Sequence, residues 1–217
     1  MSTTKKSNLI ARIILYVLGL LVLAFGVSFS INSDLGVSAV STPPFIFSLI
    51  FDTGVGIWAI KLMLLFIIIQ IIILRKQFKL IDLTQIIFST IFGYFIDFAM
   101  FIIGDFRFYT YFGRLFMLIF SIILLTFGIT MFIEAKLVNL PPEGFCVVVS
   151  QKYGFKFYKV KMLMDISLVF FGIISSLIFL DRLYGVREGT VISAIFVGRL
   201  IPYAKHILNP LLSKIIK

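Results

Sequence analysis

Residues 57–74 read IWAIKLMLLFIIIQIIIL, an almost uninterrupted run of apolar side chains. As an α-helix, this run approaches the length of about 20 residues that crosses roughly 30 Å of hydrocarbon. Residues 116–132, FMLIFSIILLTFGITMF, form a second run of the same kind. Of the 217 residues 60% are hydrophobic and 14% are charged, a composition typical of bilayer proteins and not of soluble domains. We therefore predict an all-α polytopic membrane protein.

Eight apolar segments follow one another along the chain, and two of them are short. The long segments predict about six transmembrane helices, whereas a helix of about ten residues reaches only halfway through the hydrocarbon. The short segments begin at Pro43-Pro44 and at Pro141-Pro142, and proline is tolerated in the first turn of a helix. We predict two re-entrant or half-span helices inside the bundle, away from lipid. The eight segments lie near residues 9–31, 43–51, 57–74, 84–103, 115–133, 144–150, 160–180 and 189–204.

The second half of the chain repeats the first. AFGVSFSI around Gly26 resembles TFGITMFI around Gly128, and IFGYFID around Gly93 resembles FVGRLIP around Gly198. These four glycines are predicted to permit close helix packing, as small residues do in membranes. Within a single membrane domain, 1–217, we predict repeats over 9–104 and 113–206. Each repeat has three spans, an odd number, so the two repeats are expected to have inverted topologies.

Basic residues concentrate in the segments that an inside amino terminus would place in the cytoplasm. With six spans these segments contain fourteen Lys and Arg, against five outside; with eight spans the numbers are thirteen and six. The positive-inside rule therefore supports cytoplasmic N- and C-termini in both topologies. The formal charge of +10 is accounted for in this way, and no nucleic-acid partner is expected. The stretch 9–31 after Lys5 and Lys6 is too long for a signal-peptide core and is predicted to be the first span.

Three short motifs make the chain similar to a known family. They are Asp34-Leu35-Gly36 followed by prolines, Leu140-Pro141-Pro142-Glu143-Gly144, and Gly185-Val186-Arg187-Glu188-Gly189-Thr190. In this order, and together with the Gly93 and Gly198 repeats, they resemble the YczE/YyaS/YitT-like bacterial integral membrane proteins over nearly the whole chain. The resemblance implies a duplicated multi-span architecture in the bacterial cell (inner) membrane. It supplies no substrate, and it adds Asp34, Glu188 and Thr190 to the candidate ligand-binding or ion-pair residues.

Arg199 is the most unusual ionisable residue, because it lies about 15 Å from the start of its apolar segment, near the expected midplane. One interpretation is a structural ion pair with Asp97, Asp165 or Glu143. The other is a centre that attracts anions, to which the amino termini of the two half-helices would add. Glu143, in the first turn of the second half-helix, could instead cap that helix locally.

Two other carboxylates lie within apolar segments. Asp165 follows Lys161 by four residues, so a local ion pair near the cytoplasmic interface is expected. Asp97, if unpaired, is a candidate for proton coupling. Lys61 and Lys161 hold matching repeat positions and are both predicted to reach the membrane interface.

The sequence gives no indication of an enzyme, a metal site or a cofactor. His206 is the sole histidine, Cys146 is the sole cysteine, and no Gly-rich phosphate loop or nucleophile motif is present. The leading hypothesis is a small transporter or permease component with a midplane site for a small ligand, with an anion as one candidate. The alternative is a non-transporting subunit or sensor that acts through a partner protein or lipid. The small size of the chain also predicts a homodimer or a partner membrane protein, within the lipid bilayer.

Overall fold

The computed structural model describes residues 2–78 and 80–216, with side-chain surroundings for residues 9–78 and 82–210. Lys5, Lys6, Lys79, Lys214 and Lys217, which enter the charge count, lie outside the described side chains. In the described part the chain forms eight α-helices, and no strand occurs there. They are α1 (Ser2–Asn32), α2 (Thr42–Phe51), α3 (Val55–Leu74), α4 (Thr84–Ile103), α5 (Tyr111–Glu134), α6 (Pro141–Tyr153), α7 (Phe157–Leu180) and α8 (Glu188–Ile216).

Six helices are long and apolar enough to cross a membrane, namely α1, α3, α4, α5, α7 and α8. Their apolar stretches have 20 to 24 residues. Large hydrophobic side chains such as Ile72, Phe101 and Phe112 are exposed on the outside of the bundle, where lipid is expected. The predicted class, an all-α membrane protein with six spans, is confirmed.

The centre of the bundle is the contact between α1 and α5, the most extensive between any two described helices. A Cβ atom on Gly26 would lie 2.8 Å from the backbone nitrogen of Leu125, and one on Gly128 would lie 2.7 Å from that of Leu23. Both glycines therefore have the close-packing role that the sequence predicts. Large side chains from both helices, including Tyr16, Leu20 and Phe132, are buried around this contact.

Gly93 has the same role between α4 and α3, because a Cβ atom there would lie 2.8 Å from the carbonyl oxygen of Gly56. The prediction for Gly198 is wrong. No atom lies within 4 Å of the position of its Cβ, so this glycine faces open space on α8.

Contacts between helix termini define two ends of the bundle. At the end that we call the amino-terminal end, the Arg12 guanidinium donates to the carbonyl oxygens of Ala135 and Lys136, just after α5. Lys205 of α8 forms an ion pair with Glu134 there, at 2.6 Å. At the opposite, far end, the Asn32 amide donates to the Gly104 carbonyl oxygen at 2.7 Å, which joins the last turn of α1 to the end of α4.

Helix α2 leaves and returns on the same side of the bundle. Its chain starts from α1 at the far end, and the following helix, α3, begins beside Asp97, where the Gly56 amide donates to the carboxylate at 2.9 Å. Asp97 lies six residues, or about 9 Å, before the far end of α4. Between these points a 3-10 turn, Ala39–Ser41, leads into the buried start of α2 at Thr42. Helix α2 is therefore re-entrant from the far end.

Helix α6 is its counterpart at the amino-terminal end. The chain arrives from α5 at that end, and the Lys152 ammonium, near the last turn of α6, donates to the Ile73 carbonyl oxygen at the end of α3. Pro141 and Pro142 form the first turn of α6 and are buried. Of the two alternatives that the sequence left open, a crossing or a re-entrant segment, the contacts give the re-entrant one for both short helices.

Candidate functional site

The start of α6 carries the central feature of the site. Its N-cap residue, Leu140, offers no polar side chain, and Pro141 and Pro142 have no amide hydrogen to donate. The first acidic side chain of the helix, Glu143, is 6% exposed and lies where the positive end of the helix dipole is closest. The amide hydrogen of Gly144 is already bonded to the Leu140 carbonyl oxygen. The first turn of α6 thus places the Glu143 carboxylate in the protein interior.

Helix α7 brings two more charges to this carboxylate. The Lys161 ammonium lies 2.7 Å from an oxygen of Asp165 and 3.9 Å from one of Glu143. All three residues are 6% exposed. We call Glu143, Lys161 and Asp165 the charge cluster. Two carboxylates face one ammonium, so the fully ionised cluster has a formal charge of −1.

The charge cluster lines a small interior cavity of about 60 Å³. Another part of the wall is formed by residues 38–41, the turn that leads into α2, where the Ser38 hydroxyl donates to that of Ser41 at 2.8 Å. Ser193 of α8 adds a third hydroxyl, and apolar residues of α1, α3, α4, α5 and α8 close the rest. Both half-helices therefore begin near one cavity, and the space suits a few waters or a small ion.

The Lys161–Asp165 pair was expected, but its location was not. The repeat position of Lys161 predicts a side chain at the membrane interface, and this prediction is wrong. Although Lys161 is only four residues, about 6 Å, from the start of α7, helix α6 packs over this part of α7 and buries it. Lys61, its counterpart, is exposed on the surface of the bundle. Its ammonium lies over the Trp58 ring, 3.7 Å from the ring centroid.

Arg199 does not belong to the site. It is exposed, and no ion pair with a carboxylate is present for it among the described residues. Ser193, Ala194 and Val197 direct one face of α8 toward the cavity. Arg199 follows Val197 by two residues, about 200° around the helix, and so lies on the opposite face. Both interpretations of Arg199, the ion pair with Asp97, Asp165 or Glu143 and the anion centre, are contradicted by this orientation.

Asp97 is also outside the cavity. Its carboxylate accepts the Gly56 amide and caps the first turn of α3 from the neighbouring helix α4. Side chains on Gly54 or Gly56 would collide with this carboxylate. The role that the contacts give Asp97 is that of a tertiary helix cap.

The motif residues Asp34, Glu188 and Thr190 come together at the far end. The Asp34 carboxylate lies 2.8 Å from Arg114 and 3.9 Å from Arg187, and Arg187 pairs with Glu188 at 3.5 Å. Backbone bonds join the same segments, since the Val37 amide donates to the Gly185 carbonyl and the Gly189 amide to the Leu35 carbonyl, each at 2.7 Å. We call the segments 34–37 and 185–190 the far-end latch.

Gly36 and Thr190 are the tightest contact of the far-end latch. Gly36 has a φ of +109°, and a Cβ atom there would lie 2.5 Å from the Thr190 hydroxyl oxygen. Thr190 is fully buried, and its hydroxyl donates to the Gly185 carbonyl oxygen. The latch thus links two of the family-like motifs, more than 140 residues apart, and closes the bundle at that end.

Two residues near the charge cluster, Gln70 and Tyr16, have contacts that were not predicted from the sequence. The Gln70 amide donates to the Pro141 carbonyl oxygen at 3.0 Å and to Gln85 at 3.3 Å, so α3 and α4 hold the start of α6. Tyr16 is completely buried and interacts electrostatically with Glu143, and its hydroxyl has no hydrogen-bond partner among the described residues. Polar residues inside long apolar runs were the available signal for both.

Comparison with known proteins places these features in a family. The chain is similar to "Uncharacterized membrane protein YczE" of Bacillus subtilis (strain 168), with 27% identity over 204 residues, 92% of this chain and 87% of the relative. No solved structure is significantly similar. The family model described as "Family of unknown function (DUF6198)" matches residues 10–206, nearly the whole bundle including both half-helices and the far-end latch. The chain therefore belongs to the DUF6198 family of membrane proteins and is YczE-like, as its motifs indicated.

Proposed function

We propose that this protein is a small proton-coupled transporter of the bacterial cytoplasmic membrane, with Glu143 as the residue that carries the proton. The observation that carries the proposal is the charge cluster at the cavity where the two half-helices begin. Buried ionisable groups in membrane bundles are costly, and they mark proton and ion pathways more often than they mark simple packing. Half-helices that start in the interior are likewise a feature of transporter binding sites.

The distances favour Glu143 over Asp165 as the proton carrier. Lys161 is hydrogen-bonded to Asp165 at 2.7 Å, whereas Glu143 lies 3.9 Å away, beyond hydrogen-bond distance. The ammonium thus neutralises Asp165 first, and the dipole of α6 offsets only part of the charge on Glu143. One proton on Glu143 makes the cluster neutral. The proton replaces the anionic ligand of the sequence hypothesis, which depended on Arg199.

The arrangement of the helices supports alternating access by two inverted repeats. In the first half α1 packs on α4, α3 on α4 and α2 on α3; in the second α5 packs on α8, α7 on α8 and α6 on α7. The half-helices also exchange neighbours, since α2 packs on α7 and α6 on α3. Matched contacts and half-helices that enter from opposite ends are the geometry expected of inverted repeats. Cytoplasmic termini, as the charge distribution predicts, would put α6 on the cytoplasmic side.

Transport is tested with the purified protein in proteoliposomes on a solid-supported membrane. Amino acids, sugars, organic cations and carboxylates are applied as separate mixtures, with and without an inward proton gradient. We expect a transient current for at least one mixture that requires the gradient and is lost in Glu143→Gln, a variant of the same shape. Asp34→Asn, which removes an exposed carboxylate far from the cavity, is the matched control and should retain the current. Folded protein that gives no current with any mixture would refute the transporter.

A second candidate, a membrane subunit that acts through a partner, is favoured by helix α8. Only 11% of its apolar stretch is buried, the least of the six candidate spans, and Arg199 lies exposed in the middle of that stretch. A charged side chain facing hydrocarbon is unfavourable, and a second protein on this face would shield it. Crosslinking in native membranes tests this candidate, because Cys at the exposed position 195 or 203 should give a larger species if α8 is covered. Monomer alone would count against it.

A further inference from the structure

A second cavity, of about 420 Å³, lies between α3, α4 and α6 near the amino-terminal end. Its lining includes Gln70, Gln77, Gln85 and Gln151, which are all four glutamines of the chain, together with Asn139 and Asp82. Glutamine and asparagine amides both donate and accept hydrogen bonds, a carboxylate accepts them, and such groups are unfavourable in a dry apolar surrounding. Their concentration around one space in so hydrophobic a chain indicates that the space contains water or a polar solute.

The other face of α6 provides a contrast. A groove of about 480 Å³ lies there between α3, α6 and α7, lined by apolar side chains such as Phe66, Phe145, Val149 and Leu163. Val147 lines the amide-rich cavity and Val149, two residues later, lines the apolar groove. One short helix thus separates a polar space from a surface suited to lipid.

We propose that the amide-rich cavity is a water-filled vestibule through which polar, hydrogen-bonding solutes reach the charge cluster from the amino-terminal end, and that Gln70 is its gate. The vestibule extends to Gly144, the residue after Glu143. Gln70 lines the vestibule and holds the start of α6: it is 2% exposed, and its amide bridges Pro141 of α6 and Gln85 of α4. A Cβ atom on Gly144 would lie 3.0 Å from the Gln70 side-chain oxygen, so the side chain closes tightly against α6.

At the far end the latch joins the segment after α1 to the start of α8, and Arg114 of α5 pairs with Asp34 there. Separation of Gln70 from Pro141 would open the charge cluster toward the amino-terminal end. The gate rests on the proposed function, since a sealed structural cluster needs no access. The vestibule is independent of the proposed function, because its water content follows from the polar side chains that line it.

The vestibule is tested by thiol labelling of protein in lipid nanodiscs, where both ends face solution and the sides face lipid. Val147→Cys and Val149→Cys are made in a Cys146→Ala background, which removes the sole native thiol. Both valines are partly buried on the same helix, so they form a matched pair. We expect a charged methanethiosulfonate reagent to modify Val147→Cys at least tenfold faster than Val149→Cys. Equal rates, or a faster reaction at Val149→Cys, would overturn the vestibule.

The gate is tested in the same Cys146→Ala background with Ala194→Cys, which lines the interior cavity beside the charge cluster, and with silver ion, a thiol reagent small enough for that cavity. We expect silver to block this thiol at least tenfold faster when Gln70→Ala is added, with the blocked fraction read by maleimide labelling after denaturation. Unchanged protection with Gln70→Ala, in protein that keeps its gel-filtration profile, would overturn the gate. Labelling at Val147→Cys without any transport current would leave the vestibule in place and refute only the transporter.

Discussion

The far-end latch and the charge cluster are built from the same kinds of charged residue and depend on them in different ways. In the latch the closest pair, Arg114 with Asp34, has side chains 30% and 51% exposed; in the cluster the Lys161–Asp165 pair has 8% and 9%. Water screens the first pair, so the latch is held mainly by its backbone bonds. The cluster has no such screening, and its stability depends on the balance of charge. Similar distances, 2.8 and 2.7 Å, thus conceal unequal energies.

The largest expected effect is that of Lys161→Met, which leaves Glu143 and Asp165 buried without their cation. Removing one partner of a buried ion pair costs about 3–5 kcal/mol of the free energy of unfolding. The measurement is a thermal unfolding curve in detergent, read with a thiol-reactive dye. Cys146, the sole thiol, is fully buried and becomes reactive as the fold opens.

The control for Lys161→Met is the triple variant that also carries Glu143→Gln and Asp165→Asn. With no charge left in the cluster, most of the lost stability should return, because uncharged buried groups of similar volume are often tolerated as well as the ion pair. A triple variant as unstable as Lys161→Met would mean that packing, and not charge, holds this region together.

In the far-end latch we expect the largest loss from Gly36→Ala, about 1–3 kcal/mol, because the new side chain meets Thr190 in a backbone conformation that favours glycine. Gly154→Ala is the matched control, since Gly154 also has a positive φ, +73°, but no atom within 4 Å of its Cβ position. It should be less destabilised in the same unfolding assay. Equal losses would show that the Thr190 contact contributes nothing.

The charges of the far-end latch should matter less than its backbone. Asp34→Asn removes the partner of Arg114 and Arg187 at an exposed site, and such pairs contribute about 0.2–1 kcal/mol. The unfolding midpoint should shift slightly at low salt and hardly at all at 0.5 M NaCl, a concentration at which screening removes most of the interaction. A loss as large as that of Lys161→Met would end the contrast between the two regions.

The smallest loss of stability is expected for Arg199→Ala, because no ion pair of Arg199 is present among the described residues and its charge faces the apolar exterior, which is unfavourable. Arg199 is exposed on α8, opposite the face that lines the cavity. The comparison with Lys161→Met in one assay therefore separates the basic residue that the sequence favoured from the one that the structure favours. A loss of stability above about 2 kcal/mol would indicate that the Arg199 side chain lies in the interior after all.

The sequence predicted those features that depend on composition and order along the chain. Segment length gave the six spans, the proline pairs gave the starts of both half-helices, and Gly26, Gly93 and Gly128 marked close contacts. The predictions failed where the burial of a residue depends on the rotation of its helix about the helix axis, or on a second helix that packs over it. Arg199 and Gly198 were assigned to the wrong face because α8 is apolar on several sides, so its pattern does not show which side is buried. Lys161 was misplaced because its burial depends on α6, a helix encoded before it and folded over it.

The buried start of α6 also has a consequence for biogenesis. A segment of 13 residues that contains Glu143, Gln151 and Lys152 is too short and too polar for the translocon to insert as a span. Helix α6 is held in the interior by contacts with α3, which is synthesised before it, and with α7, which is synthesised after it and carries Lys161. Because α7 is synthesised after α6, helix α6 can reach its buried position only after α7 has been integrated. Assembly of the interior is in this sense post-insertional, because the burial of α6 requires a helix that is synthesised after it.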